Sequence, residues 1–321
     1  MTDDGVTAIR ELGDRMAEAI EPVLVGKSHV VRLALAAMLS GGHLLVEDNP
    51  GTGKTSLARA LAACISGSAS RIQFTPDLLP GDITGVSIWD QSTGTFTFHE
   101  GPVFANIVLA DEINRASPKT QSAMLEVMQE GRVTVDGKPN AVPTPFMVVA
   151  TQNPIEQSGT YRLPEAQLDR FALRTSVGYP DHASTLRILE GSADPVDPSS
   201  LAPVVDTATL QRHIAAVTRV HVDAAVADYV ARIVEATRQS GEVRLGVSVR
   251  GALSLVRTAR AYAALDGRDY VTPDDIKALV IPVLGHRIVL EPEAELDGIT
   301  QETILQQLML STSPPRGRGG S

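Results

Sequence analysis

The stretch Leu44-Leu45-Val46-Glu47-Asp48-Asn49-Pro50-Gly51-Thr52-Gly53-Lys54-Thr55 decides how this chain is read. It begins as a buried strand, passes through a glycine-rich turn and opens a helix, on one face of which Leu57, Ala58, Leu61, Ala62 and Ile65 recur. Gly51 and Gly53 let the turn curl so that backbone N–H groups point inward and cradle an anion. The helix starting at Lys54 adds its positive end. Lys54 supplies a mobile cation for the outer phosphates of a nucleotide, and Thr55 a hydroxyl for Mg²⁺. The residues expected to bind the nucleotide are Asn49, Pro50, Gly51, Thr52, Gly53, Lys54, Thr55 and Ser56. Asp48 stands where the usual pattern begins with glycine. An ordinary strand–helix turn does not explain Gly-Lys-Thr at a helix start.

A second apolar run, residues 105–112, ends in Asp111 and Glu112. Burying unpaired acids at a strand end is costly, and a metal ion with a polarised water justifies them. Asp111 is expected to hold Mg²⁺, directly or through water, and Glu112 to orient and deprotonate an attacking water. An exposed turn would also carry such a pair, but the phosphate loop upstream disfavours that reading. A third apolar run, 145–152, ends at Asn153, which could hydrogen-bond the attacking water or the terminal phosphate. Arg170, in Leu168-Asp169-Arg170-Phe171, reads either as a solvated helix-end charge or as a guanidinium donated to the nucleotide of the next subunit.

Outside these motifs the pattern is mostly helical. Residues 6–39 predict two helices, with Ile9, Leu12, Met16 and Ile20 on one face of the first and a break near Val25-Gly26-Lys27. Val25 and Gly26 could form a wall of an adenine pocket or a plain interhelical turn. Two hairpins interrupt the α/β part. The first, near 86–99, carries Trp89, placed to engage a partner or to pack against the body; the second turns at Asp136-Gly137. Ser117-Pro118 caps a helix ended by Gly131. Residues 193–203 read as a linker. Beyond it come more helices, one capped by Ser248 with Arg250 in its first turn and Leu253, Val256 and Ala263 on its inner face. Another starts at Thr272-Pro273. Arg250 could reach back to the phosphates, with Arg257 nearly on its face, or both could be solvated. The tail from 311 to 321 is expected to be disordered.

Length and composition bound these readings. A chain of 321 residues, 43% hydrophobic, buries a substantial core and suggests two domains. A net charge of −10 argues against nucleic acid or anionic lipid as partner, and aromatic content of 4% leaves few base-stacking platforms. The single cysteine, Cys64, reads as a small core residue. No zinc spacing is seen among the seven histidines. The acidic N-terminus predicts no secretory signal, no run reaches membrane-span length, and a cytoplasmic protein without membrane insertion is expected.

The run 110–121, Ala150-Thr151-Gln152-Asn153-Pro154 and the run 163–171 together resemble the MoxR family of AAA+ ATPases, over about residues 25–290. The resemblance implies a P-loop AAA+ three-layer α/β/α core with a parallel sheet and β-hairpin insertions, followed by a smaller all-α lid. It divides the chain into a nucleotide-binding domain at 1–193, a linker at 194–203, a lid at 204–310 and the tail. It implies that Lys54 and Thr55 are the P-loop lysine and magnesium hydroxyl, Asp111 and Glu112 the Walker B pair, and Asn153 the first sensor. It makes Arg170 an arginine finger acting in trans and Arg250 the second sensor; Val249 stands where proline usually precedes that arginine. It further implies ATP hydrolysis in a homo-oligomeric, hexameric ring, acting on a protein client with a von Willebrand factor A-domain partner. Alternatives are a nucleotide-dependent switch with little hydrolysis, a nucleic-acid-associated AAA+ motor and a P-loop kinase.

Overall fold

The computed structural model describes residues 3–49, 51–153, 160–190 and 196–315. Helices α1 (Asp3–Ile20) and α2 (Ser28–Leu39) open the chain, divided by a turn around Gly26 as the sequence predicts. Five strands then build one sheet: β1 (Leu44–Glu47), β2 (Ala69–Gln73), β3 (Ile107–Asp111), β4 (Met147–Gln152) and β5 (Leu173–Thr175). All neighbours run parallel, in the order β5-β1-β4-β3-β2.

Side-chain alternation gives this sheet two cores. Leu44, Val46, Ile107, Leu109, Met147 and Val149 face one side, and Leu45, Val108, Ala110, Val148 and Ala150 the other. A parallel sheet covered on both faces needs such continuous apolar strands. On the second face Phe74, Ile83, Leu125 and Phe171 close over it, with helix α4 (Pro118–Glu130) capped by Ser117 and ended by left-handed Gly131.

Helix α3 (Lys54–Ala63) lies on the first face and stops earlier than its periodicity suggests. Ile65 belongs instead to a two-residue strand, Ile65–Ser66, paired with Val205–Asp206. The C-terminal part is helical: α5 (Thr207–Val217), α6 (Ala224–Gln239), α7 (Val249–Leu265), α8 (Pro273–Leu284) and α9 (Gln301–Ser311). Val243–Leu245 and Val289–Leu290 add one short antiparallel pair. The first core runs unbroken from α1 and α2 into these helices. At that seam Arg32 lies 2.5 Å from Asp266 and stacks over the Tyr262 ring at 4.3 Å.

Several expectations change here. Leu253 is 52% exposed, and Leu255 takes the inner face of α7 in its place. Helix α9 includes Ser311, and Arg232 donates to the Ser313 carbonyl at 2.9 Å, so structure continues past the expected start of the tail. Residues 316–321 lie outside the described residues. The hairpin Gly85–Asp90/Thr95–Glu100 forms in full register, and Trp89 meets the Phe96 ring edge-on at 5.0 Å. Both rings are exposed, so Trp89 does not pack into the body. Gly85 and Gly101 pass backbone to backbone at its base, where a Cβ on either would strike main chain. The second hairpin turns through Asp136 and Gly137, both at positive φ, as a two-residue connection between twisted strands requires.

Candidate active site

The loop after β1 has the backbone its sequence demands. Gly51 and Gly53 sit at φ 81° and 95°, with Gly53 capping α3 in the left-handed region. A Cβ on Gly51 would meet nothing within 4 Å, so its backbone is open to an approaching group. Thr52 donates to the Asn49 carbonyl at 3.1 Å. Lys54 donates to the Asp48 carbonyl and, at 3.0 Å, to that of Asn49, which holds its ammonium within the loop. Ser56 is part-buried in the first turn of α3; Pro50 lies outside the described residues.

Asp48 is buried, and its carboxylate explains why glycine is absent. It accepts from Asn49 N at 2.8 Å, Ser176 Oγ at 3.0 Å and Gly178 N at 2.5 Å. Burial pushes its pKa up, but the Gly178 and Asn49 N–H groups and the nearby hydroxyls outweigh that and hold it below the usual carboxylate value. The loop is thereby tied to the segment after β5. The turn at Val25 and Gly26 adjoins the same loop: Gly26 has φ 75°, and a Cβ on Gly53 would lie 3.2 Å from Leu24 Cδ2. Lys27 Nζ donates to the Tyr179 carbonyl at 2.6 Å, closing this wall.

Parallel pairing of β1, β4 and β3 brings the polar strand ends together beside the loop. Thr55 Oγ1 lies 3.4 Å from Asp111 Oδ2, a spacing that suits a hydroxyl and a carboxylate sharing one hydrated divalent cation. Thr151 donates to Asp111 Oδ1 at 2.6 Å and accepts from Glu112 N at 2.9 Å. Arg71, on β2, reaches Asp111 Oδ2 through Nε at 3.2 Å and Nη2 at 2.7 Å. Glu112 adopts left-handed backbone angles, φ 57° and ψ 49°, a strained state for a non-glycine residue that turns the chain sharply after β3. Its Oε2 accepts from Gln73 Nε2 at 2.9 Å and Arg115 Nη1 at 3.0 Å. Gln73 is in register with Asp111, which sets it next to Glu112. Asn153 is buried, one residue beyond Gln152, whose carbonyl accepts from Asp48 N at 3.2 Å.

The two arginines occupy a different place. Arg170 and Arg250 line one cleft of about 480 Å³ with Arg257, Gly41, Gly42, His43 and Met128. Gly41 to His43 precede β1, whereas the phosphate loop follows it, so the full strand separates the two, roughly 13 Å at the rise of a parallel strand. Packing of α7 thus places Arg250 beside Arg170, whereas the sequence reading has it reach back to the phosphates. Arg170 Nε is buried and has no hydrogen-bond partner among the described residues.

This arrangement has relatives. A family profile of the ATPase family associated with various cellular activities (AAA) matches residues 43–173, and one of the AAA lid domain matches 235–308. Chaperone MoxR1 of Mycobacterium tuberculosis is 40% identical, over 98% of this chain and 85% of its own. The chain belongs to the MoxR family of AAA+ ATPases. Protein MoxR of Paracoccus denitrificans is 33% identical over 86% of this chain and 88% of its own, and YeaC of Bacillus subtilis 49% over 94% of each. The crystal structure of a candidate ATPase from Cytophaga hutchinsonii superposes with a TM-score of 0.88, at 35% identity and over 98% of each chain. The MoxR assignment fits the α/β core and helical lid described above, and among the described residues no helix is long and apolar enough to cross a membrane.

Sequence reasoning missed Arg71, Gln73, Arg115 and Thr151, which grip the MoxR acidic pair. A partial signal existed in Arg71 and Gln73, two polar residues in alternation on a strand otherwise anchored by Ile72. It also missed His286-Arg287, both buried behind the apolar helix α8.

Proposed function

We propose that this chain hydrolyses ATP to ADP and phosphate at a site completed by an adjoining copy of itself, within a ring that the family resemblance makes hexameric. The observation that carries this reading is the separation just described. Lys54, Asp111 and Glu112 lie at or past the carboxyl ends of their strands, while Arg170 and Arg250 share a cleft before the amino end of β1. Cations so far from their own phosphate loop suit a nucleotide held by a neighbour.

In this reading Asn49 to Ser56 hold the phosphates, and Val25 and Gly26 border the base. Thr55 and Asp111 would hold Mg²⁺, which when bound supplies neutralisation of phosphate charge. Glu112 leaves Gln73 and Arg115 to take a proton from the attacking water, which Asn153 orients. Lys54 and the neighbour's arginines offset the charge that develops, a finger being worth about 10³–10⁵ in rate. Residues 1–193 act as the nucleotide domain, 204–310 as the lid and 194–203 as the connection. The output is chaperone-like remodelling or maturation of a protein complex in the cytoplasm, with a separate von Willebrand factor A-domain protein; nucleic acid is not the expected partner.

Phosphate release measured across protein concentration tests this. The rate per protomer is expected to rise as copies associate and then saturate; a full rate in the isolated monomer would overturn the reading. Capture of partners on the ATP-locked Glu112→Gln protein then tests the client assignment. A nucleotide-dependent switch with little hydrolysis is the second reading, favoured by the hydrogen bonds from Gln73 and Arg115 that hold Glu112.

A further inference from the structure

Arg287 follows helix α8 and is almost wholly buried, and most of its hydrogen bonds go to a segment more than a hundred residues earlier. Its Nε donates to Asp169 Oδ1 at 2.7 Å. Nη2 donates to the carbonyls of Phe171 at 2.5 Å and Asp169 at 3.3 Å, and to Ser254 Oγ at 3.2 Å. Nη1 donates to the carbonyls of Ala172, at 3.3 Å, and Val283. These partners bracket Arg170 on both sides without touching it. The other Asp169 oxygen accepts from Ser248 Oγ at 3.1 Å, and Ser248 is the cap of the helix that carries Arg250. Gly251 makes room for this contact, because a Cβ there would lie 2.8 Å from Arg287 Cδ.

A buried guanidinium with five fixed donors is a rigid bracket, since each hydrogen bond constrains the same plane. One such bracket therefore ties the backbone on either side of Arg170 to the helix cap beside Arg250. We infer that Arg287, with Asp169, is a positioning residue that presents Arg170 and Arg250 as one rigid cationic face to the nucleotide of an adjoining protomer. The inference rests on the reading that these arginines act between protomers. It assigns Arg287 no contact with nucleotide; its effect passes through the residues it aims.

Subunit mixing on the full-length assembled protein tests it. Arg287→Lys keeps the charge but cannot hold several carbonyls in one plane. It is expected to lower kcat about 10²-fold, the scale of an ångström-level misplacement, while affinity for ATP in its own site holds and the melting temperature falls as buried carbonyls lose their donors. Mixed with excess Glu112→Gln protein, each Arg287→Lys protomer receives an intact face from its neighbour. Turnover per Arg287→Lys protomer should then return to within about twofold of wild type mixed in the same excess. Added to Arg170→Ala/Arg250→Ala, the Arg287→Lys change should slow turnover no further, because both residues it aims are already gone.

Should Arg287→Lys fail to fold, Asp169→Asn carries the same test, because it leaves every carbonyl contact of Arg287 in place. Arg170→Ala mixed with Glu112→Gln is the control. If that control recovers and the Arg287 or Asp169 variant does not, the positioning role is wrong and Arg287 serves only its own protomer. If the control itself fails to recover, action between protomers is wrong and this inference falls with it.

Discussion

Arg71 and Thr55 converge on one oxygen of Asp111: the guanidinium Nη2 lies 2.7 Å from Oδ2, and the Thr55 hydroxyl lies 3.4 Å from the same atom. The carboxylate expected to hold a divalent cation is thus already neutralised by an internal one. Glu112 is engaged in the same way by Gln73 and Arg115. Both acids therefore rest on residues of their own chain, and binding of metal and nucleotide has to compete with those contacts.

That competition can be weighed. The Arg71 side chain is 56% exposed, so its ion pair contributes no more than about 0.2–1 kcal/mol. Arg71→Ala should lower the Mg²⁺ concentration giving half-maximal phosphate release, by at most about fivefold. An unchanged or raised requirement would show that Arg71 does not contend with the metal.

Glu112→Gln keeps the shape of the side chain and removes its basicity. Phosphate release should fall about 10²–10⁴-fold while ATP binding persists. Turnover at the wild-type rate would remove Glu112 from proton transfer.

Asp48→Gly restores the usual first glycine of the loop but strips Gly178 N–H and Ser176 of their acceptor. Gly178 is half-buried and Ser176 exposed, so each lost hydrogen bond costs about 0.5–1.5 kcal/mol, and denaturant titration should show a destabilised protein despite the improved match to the motif. Equal or greater stability would mean that the carboxylate is not what fastens the loop.

His43 sets a pH dependence. Its Nδ1 accepts from Val148 N at 3.0 Å, which leaves Nε2 to donate to the Met128 carbonyl at 3.0 Å. Burial lowers its pKa from 6.5 to about 4. Between those values the unfolded chain binds a proton that the folded chain refuses. Stability is therefore complete above about pH 6.5 and declines as pH falls towards 4, by about 3 kcal/mol in all from this group. Buried His286, also held low by burial and nearby arginines, acts in the same direction. Denaturant titrations from pH 7 to pH 5 should show a smaller slope in His43→Gln than in wild type; identical slopes would mean that His43 charges freely in the folded protein.

The local devices were legible because they are local. Gly51 and Gly53 announce positive φ, Ser117-Pro118 and Thr272-Pro273 announce helix starts, and Asp136-Gly137 announces its turn, each through the conformations that its own residues allow. Leu253 was misjudged because α7 carries apolar residues on more than one face, and Leu255, two residues on and roughly 200° round the helix, is the one that packs inward. Ile65 was placed on a helix because the helical repeat fits it, while pairing with Val205 makes it a strand.

By itself the sequence determined the phosphate loop, the acidic pair, the three central strands that carry them and Asn153, and the kinship with MoxR proteins. All of these are written in contiguous residues or in a short repeat. Only the tertiary structure decided that Arg250 joins Arg170 instead of Lys54, that Arg71 and Gln73 grip Asp111 and Glu112, and that Arg287 fastens Asp169 across the chain. Those pairings are made by sheet register and by the packing of α7 and α8 on one core, which bring together charges whose separation along the chain carries no signal of contact.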